Sequence, residues 1–193
     1  YDRALTSLDR AVAIRPKDHG AHVNRGVTLR ALKRTGDALA SFDRALALRP
    51  DHAEALNNRA GILAEQGRLD EALAGFDRAV AARPDYVKAL VGRAAVLHRL
   101  GRFGDAVVSY DRALKTAPDN ADIWNNRGVA LHELRRFDEA LACFDRALAP
   151  RPDHAGVLNN RGASLHALKR LDEALASYDR ALALRPDYAD AHN

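Results

Sequence analysis

The chain has 193 residues and a formal net charge of +4 at pH 7, and 47% of its residues are hydrophobic while 29% are charged. This balance is typical of a globular protein, and no apolar run approaches the ~20 residues of a membrane-spanning helix, so we predict no membrane partner. Cys143 is the single cysteine, which excludes an internal disulfide and predicts a reducing, cytoplasmic compartment.

Prolines divide the chain at a regular interval. Pro16, Pro50, Pro84, Pro118, Pro152 and Pro186 are 34 residues apart, and only Pro150 lies outside the series. Such a period predicts a repeat protein. We expect residues 1–18 to be the last helix of one repeat, with five full repeats at 19–52, 53–86, 87–120, 121–154 and 155–188 and a further repeat beginning at 189–193. Because the chain opens within a repeat and contains no methionine, we expect it to be part of a longer protein.

Each repeat contains two amphipathic helical patterns. In the fourth full repeat, apolar residues recur at helical spacing over about Ala121–Leu134 and again over about Asp138–Ala149. An aspartate stands near the start of the second pattern in three repeats, and we assign it as the N-cap. These predicted caps are Asp70, Asp138 and Asp172.

Small residues occur at one position of each helix. The first helices carry Gly26, Ala60, Ala94, Gly128 and Gly162, and the second helices carry Ala38, Ala72, Ala106, Ala140 and Ala174. Small residues on facing stripes allow two antiparallel helices to approach closely. One such pair cannot bury its apolar face alone, so we predict an all-α solenoid of stacked pairs.

In its period, its helix pairs and its small-residue positions the chain resembles the tetratricopeptide repeat (TPR) family. The fourth repeat matches the family pattern at Trp124, Gly128, Ala140, Phe144, Ala147 and Pro152. The resemblance implies a right-handed superhelix that binds protein or peptide partners on its concave surface, which the first helices line. The chain departs from the family pattern at two positions. The first aromatic residue is replaced by His22, Leu56, Leu90 and Leu158, and the family leucine is replaced by arginine in every repeat.

The repeated arginines are Arg25, Arg59, Arg93, Arg127 and Arg161, on the packing stripe of the first helix. A partly buried guanidinium needs a carboxylate partner. The second helices offer one series of candidates: Asp9, Asp43, Asp77, Asp111, Asp145 and Asp179. We predict structural pairing across the helix interface, and we take Asp145 as the partner of Arg127. An arginine row that binds phosphate or carboxylate ligands is the alternative.

Asparagines follow the opposite face of the first helix. One row is Asn24, Asn58, Asn126 and Asn160, interrupted by Gly92, and beside it lie Asn57, Asn125 and Asn159. Asparagine is a poor helix former, and a carboxamide can both donate to and accept from a peptide group. We therefore predict a ladder that binds the backbone of an extended peptide. The pattern resembles the repeats of O-linked N-acetylglucosamine transferases, and solvation of the groove is the alternative interpretation.

A third row contains His98, His132 and His166, one repeat apart. We include these histidines in the peptide groove and predict no metal site, because ~2 Å ligand bonds cannot span adjacent repeats. Cys143 stands where other repeats have Ser or Gly, so we interpret it as a small packing residue and not as a reactive thiol.

Three other functions are less well supported by the sequence. No phosphate loop, HExxH or GxSxG motif is present, which favours a non-catalytic chain without cofactors, although a fused enzyme such as a glycosyltransferase is an alternative. The pI of about 9.5 makes RNA binding a second alternative. On the predicted groove face, however, acidic residues balance the basic ones: Arg30, Lys88 and Arg99 stand against Glu54, Glu65, Asp122 and Glu133. The lysine–asparagine carboxylate clamp of TPR co-chaperones is present in no repeat.

The ends of the repeat array predict self-association. We expect Ala4, Leu5, Leu8 and Val12 at one end, and Leu175, Tyr178 and Leu182 at the other, to be partly uncovered. Such apolar ends favour heterologous end-to-end contacts between copies of the chain.

Overall fold

The computed structural model of the chain describes residues 1–186, and these residues form eleven helices and no strand. The helices are α1 (Asp2–Ile14), α2 (His19–Ala31), α3 (Thr35–Leu48), α4 (Ala53–Glu65), α5 (Leu69–Ala82), α6 (Val87–Arg99), α7 (Phe103–Thr116), α8 (Ala121–Glu133), α9 (Phe137–Leu148), α10 (Ala155–Ala167) and α11 (Leu171–Leu184). None of them combines the length and the apolar character that a bilayer crossing requires. The expected start of a further repeat at 189–193 lies outside the described residues.

The chain divides into two compact units, Tyr1–Leu100 and Gly101–Asn193. In the first unit α2 packs on α3 and α4 packs on α5, while α3 and α5 also pack on the first helix of the next repeat. In the second unit the same arrangement joins α8 to α9, α10 to α11, and α7 and α9 to the helices that follow them. Each unit is therefore built by stacking helix pairs.

The turn between the two helices of a repeat contains one residue with positive φ. The position is occupied by Lys33 (59°), Gly67 (78°), Gly101 (72°), Arg135 (59°) and Lys169 (61°), each 34 residues from the next. This left-handed conformation ends the first helix. It favours glycine, because the Cβ of any other residue comes too close to the backbone carbonyl oxygen. Three repeats nevertheless place a long basic side chain at this position.

The helix starts differ from the sequence prediction. The N-caps of the second helices are arginines such as Arg68 and Arg136, so the assignment of Asp70, Asp138 and Asp172 as caps was wrong. Those aspartates lie in the first turn, where a carboxylate is stabilised by the helix dipole. The side-chain caps belong to the first helices instead: Asp18, His52, Asn120 and His154 each accept a backbone N–H.

An aromatic ring covers a glycine in most helix pairs. A Cβ on Gly26 would lie 2.6 Å from Phe42 Cε1, and a Cβ on Gly128 would lie 2.6 Å from Phe144 Cε1. Where Ala60 replaces this glycine, the ring of Phe76 lies against Gly92 of the next repeat, 2.5 Å from where its Cβ would stand. The residue that interrupts the asparagine row is therefore in contact with Phe76, where a larger side chain would need the ring to shift.

Six of the seven end residues are partly uncovered as expected, and one is buried. Leu5 is buried in one core cluster with Val23 and Phe42, so the prediction that it is left uncovered was wrong. Leu8 and Val12 are half-buried, because α2 packs against α1. At the other end Leu175 is 60% exposed, while Tyr178 and Leu182 are half-buried.

Candidate functional site

The arginine of every full repeat donates through Nε to an aspartate of a second helix. The Nε–Oδ1 distances are 2.7 Å for Arg25–Asp9, 2.6 Å for Arg59–Asp43, 2.6 Å for Arg93–Asp77, 2.6 Å for Arg127–Asp111 and 2.8 Å for Arg161–Asp145. In each case the aspartate precedes the arginine by 16 residues. The ion pairs therefore link each first helix to the second helix of the repeat before it.

This register corrects the expected partner of Arg127. Asp145 accepts from Arg161 of the next repeat, and Arg127 binds Asp111. Within its own repeat Arg127 contacts Cys143 instead, whose sulfur lies 2.9 Å from Nη1. For Asp179, the residue 16 positions further on would lie beyond Asn193.

A second partner of these arginines was missed in the sequence. Arg25 Nη1 donates to Ser41 at 2.7 Å, Arg127 Nη1 to the sulfur of Cys143, and Arg161 Nη1 to Ser177 at 2.8 Å. The signal was available, because these small residues follow the arginine by the same 16 positions by which the aspartate precedes it. Cys143 packs as a small buried residue and also accepts a hydrogen bond; burial raises the pKa of its thiol, while the bond from Arg127 acts in the opposite direction.

We call the surface that carries Asn24 and Asn58 in the first unit, and Asn126 and Asn160 in the second, the asparagine face. Asn24 is exposed, and the other three asparagines are half-buried. In the second unit these amides are joined: Asn160 Nδ2 donates to Asn125 at 3.1 Å, and Asn125 Nδ2 donates to Asn126 at 3.2 Å. The chain of amides fixes their orientation, so that the Oδ1 of Asn160 and the Nδ2 of Asn126 have no partner among the described residues.

The neighbouring row is less uniform. Asn57, Asn125 and Asn159 are all half-buried, but the Oδ1 of Asn159 is buried without a hydrogen-bond partner in the described part of the chain. The structure thus brings Asn125 into the asparagine face and turns the carboxamide oxygen of Asn159 away from solvent.

The three histidines also differ from one another. His166 is exposed, while His98 and His132 are half-buried. His132 Nδ1 lies 2.8 Å from the hydroxyl oxygen of the buried Ser164, and its ring packs edge-on against Phe137 at 5.1 Å. These contacts hold the His132 ring in one orientation. No group of His, Cys, Asp and Glu that could hold a metal ion occurs within residues 1–186.

A concavity of about 220 Å³ opens on the asparagine face of the second unit. Asn160, His132 and Glu133 supply its polar groups, and Phe144 lies among its apolar lining. Glu133 is exposed. The site therefore offers a carboxamide and a carboxylate next to an apolar surface, which suits a segment that presents N–H groups and a positive charge.

The basic residues are largely engaged with neighbours inside each unit. On the predicted groove face Arg30 pairs with Glu65, and Arg99 donates to the carbonyl of Ala64 at 2.6 Å. The arginines of the inter-helix turns pair with an acid three residues later, as Arg34–Asp37, Arg68–Glu71, Arg102–Asp105, Arg136–Glu139 and Arg170–Glu173. These pairs neutralise the arginines that form them within each described unit.

His22 makes the same kind of hydrogen bond as Trp124, which occupies the equivalent position of the fourth repeat. Trp124 Nε1 donates to the carbonyl of Pro118 at 2.7 Å, and His22 Nε2 lies 3.0 Å from the carbonyl of Pro16. Both carbonyls are six residues earlier, at the proline that ends the preceding helix. His and Trp can both make this bond because each carries a ring N–H, whereas the leucines at this position in the other repeats cannot.

Comparison with known families matches the repeats. A family model described as the tetratricopeptide repeat matches residues 1–51, 34–87, 70–121, 92–155 and 133–189. A comparison with curated proteins finds no match.

Several solved structures share the fold along nearly the whole chain. YrrB, described as a TPR protein with an unusual peptide-binding site, is 23% identical, with a TM-score of 0.88 over 98% of this chain and 97% of that one. PilW, a type IV pilus biogenesis factor, is 24% identical, with a TM-score of 0.84 over 100% and 89%. PilF of Pseudomonas aeruginosa is 20% identical, with a TM-score of 0.86 over 99% and 87%. At these identities the likeness concerns the fold, which is an all-α solenoid of helix pairs.

Proposed function

The chain belongs to the tetratricopeptide repeat family, and we propose that it is a non-catalytic protein-binding scaffold that holds an extended segment of its partner on the asparagine face. The proposal rests on one observation above the others. In the second unit a concavity lined by Asn160, His132 and Glu133 adjoins a chain of amides that ends in a donor on Asn126 and an acceptor on Asn160.

The chemistry of these groups favours a peptide backbone as the ligand. A peptide group has one N–H and one C=O, and the two unpartnered ends of the amide chain supply the matching acceptor and donor. Because Asn125 already bonds both neighbours, the carboxamides are oriented before a ligand binds. Preorganisation of this kind reduces the entropy lost on binding.

Glu133 adds a preference for positive charge. Its carboxylate is exposed beside the concavity, whereas Asp122 at the start of the same helix accepts from Arg151 at 3.0 Å. We expect the bound segment to place a lysine or arginine next to Glu133. The proposed ligand is thus an extended peptide with a basic side chain, and the proposal names no individual partner.

The likeness of the repeats to those of O-linked N-acetylglucosamine transferases stays a prediction from the sequence. Under that hypothesis the same surface would recruit substrates for a catalytic domain elsewhere in a longer protein. It requires the same peptide contacts, so the experiment below applies to both versions.

The test begins with a displayed library of random peptides selected on the purified chain. Selected peptides are measured by calorimetry against the chain and against Asn126→Ala/Asn160→Ala. Each lost hydrogen bond is worth about 0.5–1.5 kcal/mol, so the double variant should bind roughly five- to a hundred-fold more weakly. Glu133→Gln should weaken only those peptides that contain a basic residue.

A matched control is Gln66→Ala, which removes an exposed carboxamide at the end of α4. It should leave peptide affinity unchanged. Equal affinity of the double variant and the original chain for every selected peptide would reject the asparagine face as the site. Salt-dependent binding of single-stranded RNA with micromolar or higher affinity would favour nucleic acid as the ligand instead.

A further inference from the structure

One arginine of the repeated series lacks the second partner that three others have. Arg25, Arg127 and Arg161 each donate from Nη1 to a serine or cysteine 16 residues later, but Arg59 faces Gly75 there. Among the described residues its only acceptor is Asp43, which it binds through Nε. Its side chain is 32% exposed, compared with 27%, 23%, 17% and 26% for the other four arginines in chain order.

The neighbouring helix leaves little space for a side chain at Gly75. A Cβ on Gly75 would lie 2.9 Å from the Cβ of Ala60, which is closer than real Cβ atoms approach. Gly162, the counterpart of Ala60, has no Cβ to approach Ser177, whereas Ala94 and Ser109 occur together at the Arg93 junction. At the Arg59 junction the crowded position holds glycine, so the guanidinium lacks the neutral acceptor that serine or cysteine supplies to Arg25, Arg127 and Arg161.

Arg59 borders an open pocket of about 390 Å³ between α3, α4 and α5. Its apolar lining includes Leu46, Leu56 and Ala74, and a second arginine, Arg78, lies at the same pocket. Arg78 Nη2 donates to the carbonyl of Pro50 at 2.8 Å, which holds its positive charge in place. None of the asparagines of the asparagine face lines this pocket.

The charges around the pocket leave an excess of one positive charge. Glu71 is bound by both Nε and Nη2 of Arg68 at 2.7 and 2.6 Å, so that pair is neutral. Asp43 compensates one of the two remaining arginines, Arg59 and Arg78. The free edge of the Arg59 guanidinium can donate hydrogen bonds to a second carboxylate, because its two Nη groups form a planar fork.

We propose that this pocket binds a single carboxylate group borne on a short apolar chain. The carboxylate pairs with the Nη groups of Arg59, and the apolar chain contacts Leu46 and Leu56. A free carboxylic acid and the C-terminal residue of a polypeptide share this chemistry. The site is independent of the asparagine face, since it uses other side chains and a different ligand group.

The experiment is a nuclear magnetic resonance titration that follows the arginine side-chain Nε–Hε signals. The probe is N-acetyl-leucine, and N-acetyl-leucinamide is the uncharged control. The Arg59 signal should shift saturably with the acid at millimolar concentration and should not shift with the amide. An acetylated tetrapeptide that ends in leucine distinguishes the two sources: tighter binding than N-acetyl-leucine supports a polypeptide terminus, and weaker binding supports a free acid.

Two variants exchange the local arrangement between junctions. Ala60→Gly/Gly75→Ser reproduces the Gly162 and Ser177 pair, supplies Arg59 with a hydroxyl, and should weaken binding of N-acetyl-leucine about tenfold or more. Ser177→Gly removes the acceptor of Arg161, beside an equivalent pocket that also contains Leu148, Leu158 and Arg180. It should make the Arg161 signal respond to the acid.

Circular dichroism of both variants establishes that they fold. A folded Ala60→Gly/Gly75→Ser chain that binds N-acetyl-leucine as tightly as the original would overturn the proposal. The same conclusion follows if the Arg59 signal of the original chain does not respond, or responds equally to the amide.

Discussion

Arg127 on α8 donates through Nε to Asp111 on α7 at 2.6 Å and through Nη1 to Cys143 on α9 at 2.9 Å. One guanidinium therefore joins three consecutive helices of the second unit. Its side chain is 17% exposed, whereas that of Asp111 is 46% exposed. The arginine is consequently the partner that loses most if the pair is broken, because it cannot regain full hydration without leaving its position.

We expect Asp111→Ala to lower the free energy of unfolding by about 1–3 kcal/mol, because it leaves a partly buried guanidinium without its carboxylate. Arg127→Leu/Asp111→Ala should recover part of that loss. Chemical denaturation of the four members of this double-mutant cycle measures the coupling.

The register of the pairing has its own control. A second cycle combines Arg127→Leu with Asp145→Ala, and its coupling should be smaller than about 0.5 kcal/mol because the two residues are not partners. Asp145 should couple to Arg161 instead, as their 2.8 Å contact indicates. Strong coupling of Arg127 to Asp145 would contradict the observed register.

The close packing of aromatic rings on glycine predicts the effect of a single methyl group. A Cβ on Gly128 would lie 2.6 Å from the fully buried Phe144. We expect Gly128→Ala to lower the free energy of unfolding by about 1–2 kcal/mol, because displacing the ring costs more than the gain in helix propensity. The control is Gly104→Ala in α7, where a Cβ would meet nothing within 4 Å. It should be neutral or stabilising, and thermal denaturation of both variants separates the two outcomes.

The left-handed position in the turns predicts an effect of the opposite sign. Arg135 has φ 59°, where a side chain crowds the backbone, and Gly67 occupies the same place in another repeat. Arg135→Gly should raise the free energy of unfolding by up to about 1 kcal/mol, since glycine adopts this conformation without that cost. Gly67→Arg should lower it by a similar amount. Destabilisation by Arg135→Gly in urea denaturation would show that contacts of the arginine outweigh its backbone strain.

How far the sequence predicted the structure depended on the range of each interaction. The 34-residue period predicted the repeated helix pairs. The helical spacing of apolar residues within each repeat predicted which face each helix buries. The partner of Arg127 did not, since Asp111 and Asp145 are both within reach of a helix that packs between two others. The cap assignment failed for a local reason: Arg136 and Glu139 bind each other through two hydrogen bonds across the first turn, so the arginine begins the helix without a side-chain cap.

The asparagine face shows the same limit in the candidate site. The rows of amides were visible in the sequence, but their mutual hydrogen bonds depend on side-chain orientations that no period specifies. Gly92, which interrupts the row, lies against the ring of Phe76 from the preceding repeat, a contact that the row itself does not reveal.

A pair of histidines predicts that stability depends on pH. His52 caps α4, and its ring lies 5.0 Å from the ring of His19. Burial lowers the pKa of His52 from its ordinary value of 6.5, and the positive charges of His19 and Arg49 lower it further, while Glu54 acts in the opposite direction. The folded chain therefore favours neutral His52. Its contribution to stability is present above pH 6.5 and is lost as the pH falls through that value towards the lower pKa of the folded state.

The variant His52→Asn tests this dependence, because asparagine retains a cap acceptor and removes the titrating ring. The free energy of unfolding of the original chain should decrease more steeply than that of the variant between about pH 7.5 and 5. His154→Asn, which changes the corresponding cap of α10, is the control for the cap itself. If the stability of His52→Asn and that of the original chain depend on pH in the same way, His52 is not the cause of the pH dependence.

The exposed end of α11 predicts concentration-dependent association. Leu171 is 55% exposed and Leu175 is 60% exposed, whereas Leu141, the counterpart of Leu175 one repeat earlier, is buried in a core cluster with Leu165. A first helix covers this apolar face in the preceding repeat, and no helix among residues 1–186 covers it after α11, so a matching surface of a second copy of this chain can cover it. Such a contact joins unlike ends and forms an open chain of copies unless it closes. Sedimentation equilibrium should therefore show an apparent mass that rises with concentration, and Leu175→Lys should suppress the rise. A strict monomer up to millimolar concentration would contradict this prediction, and so would equal association by Leu175→Lys.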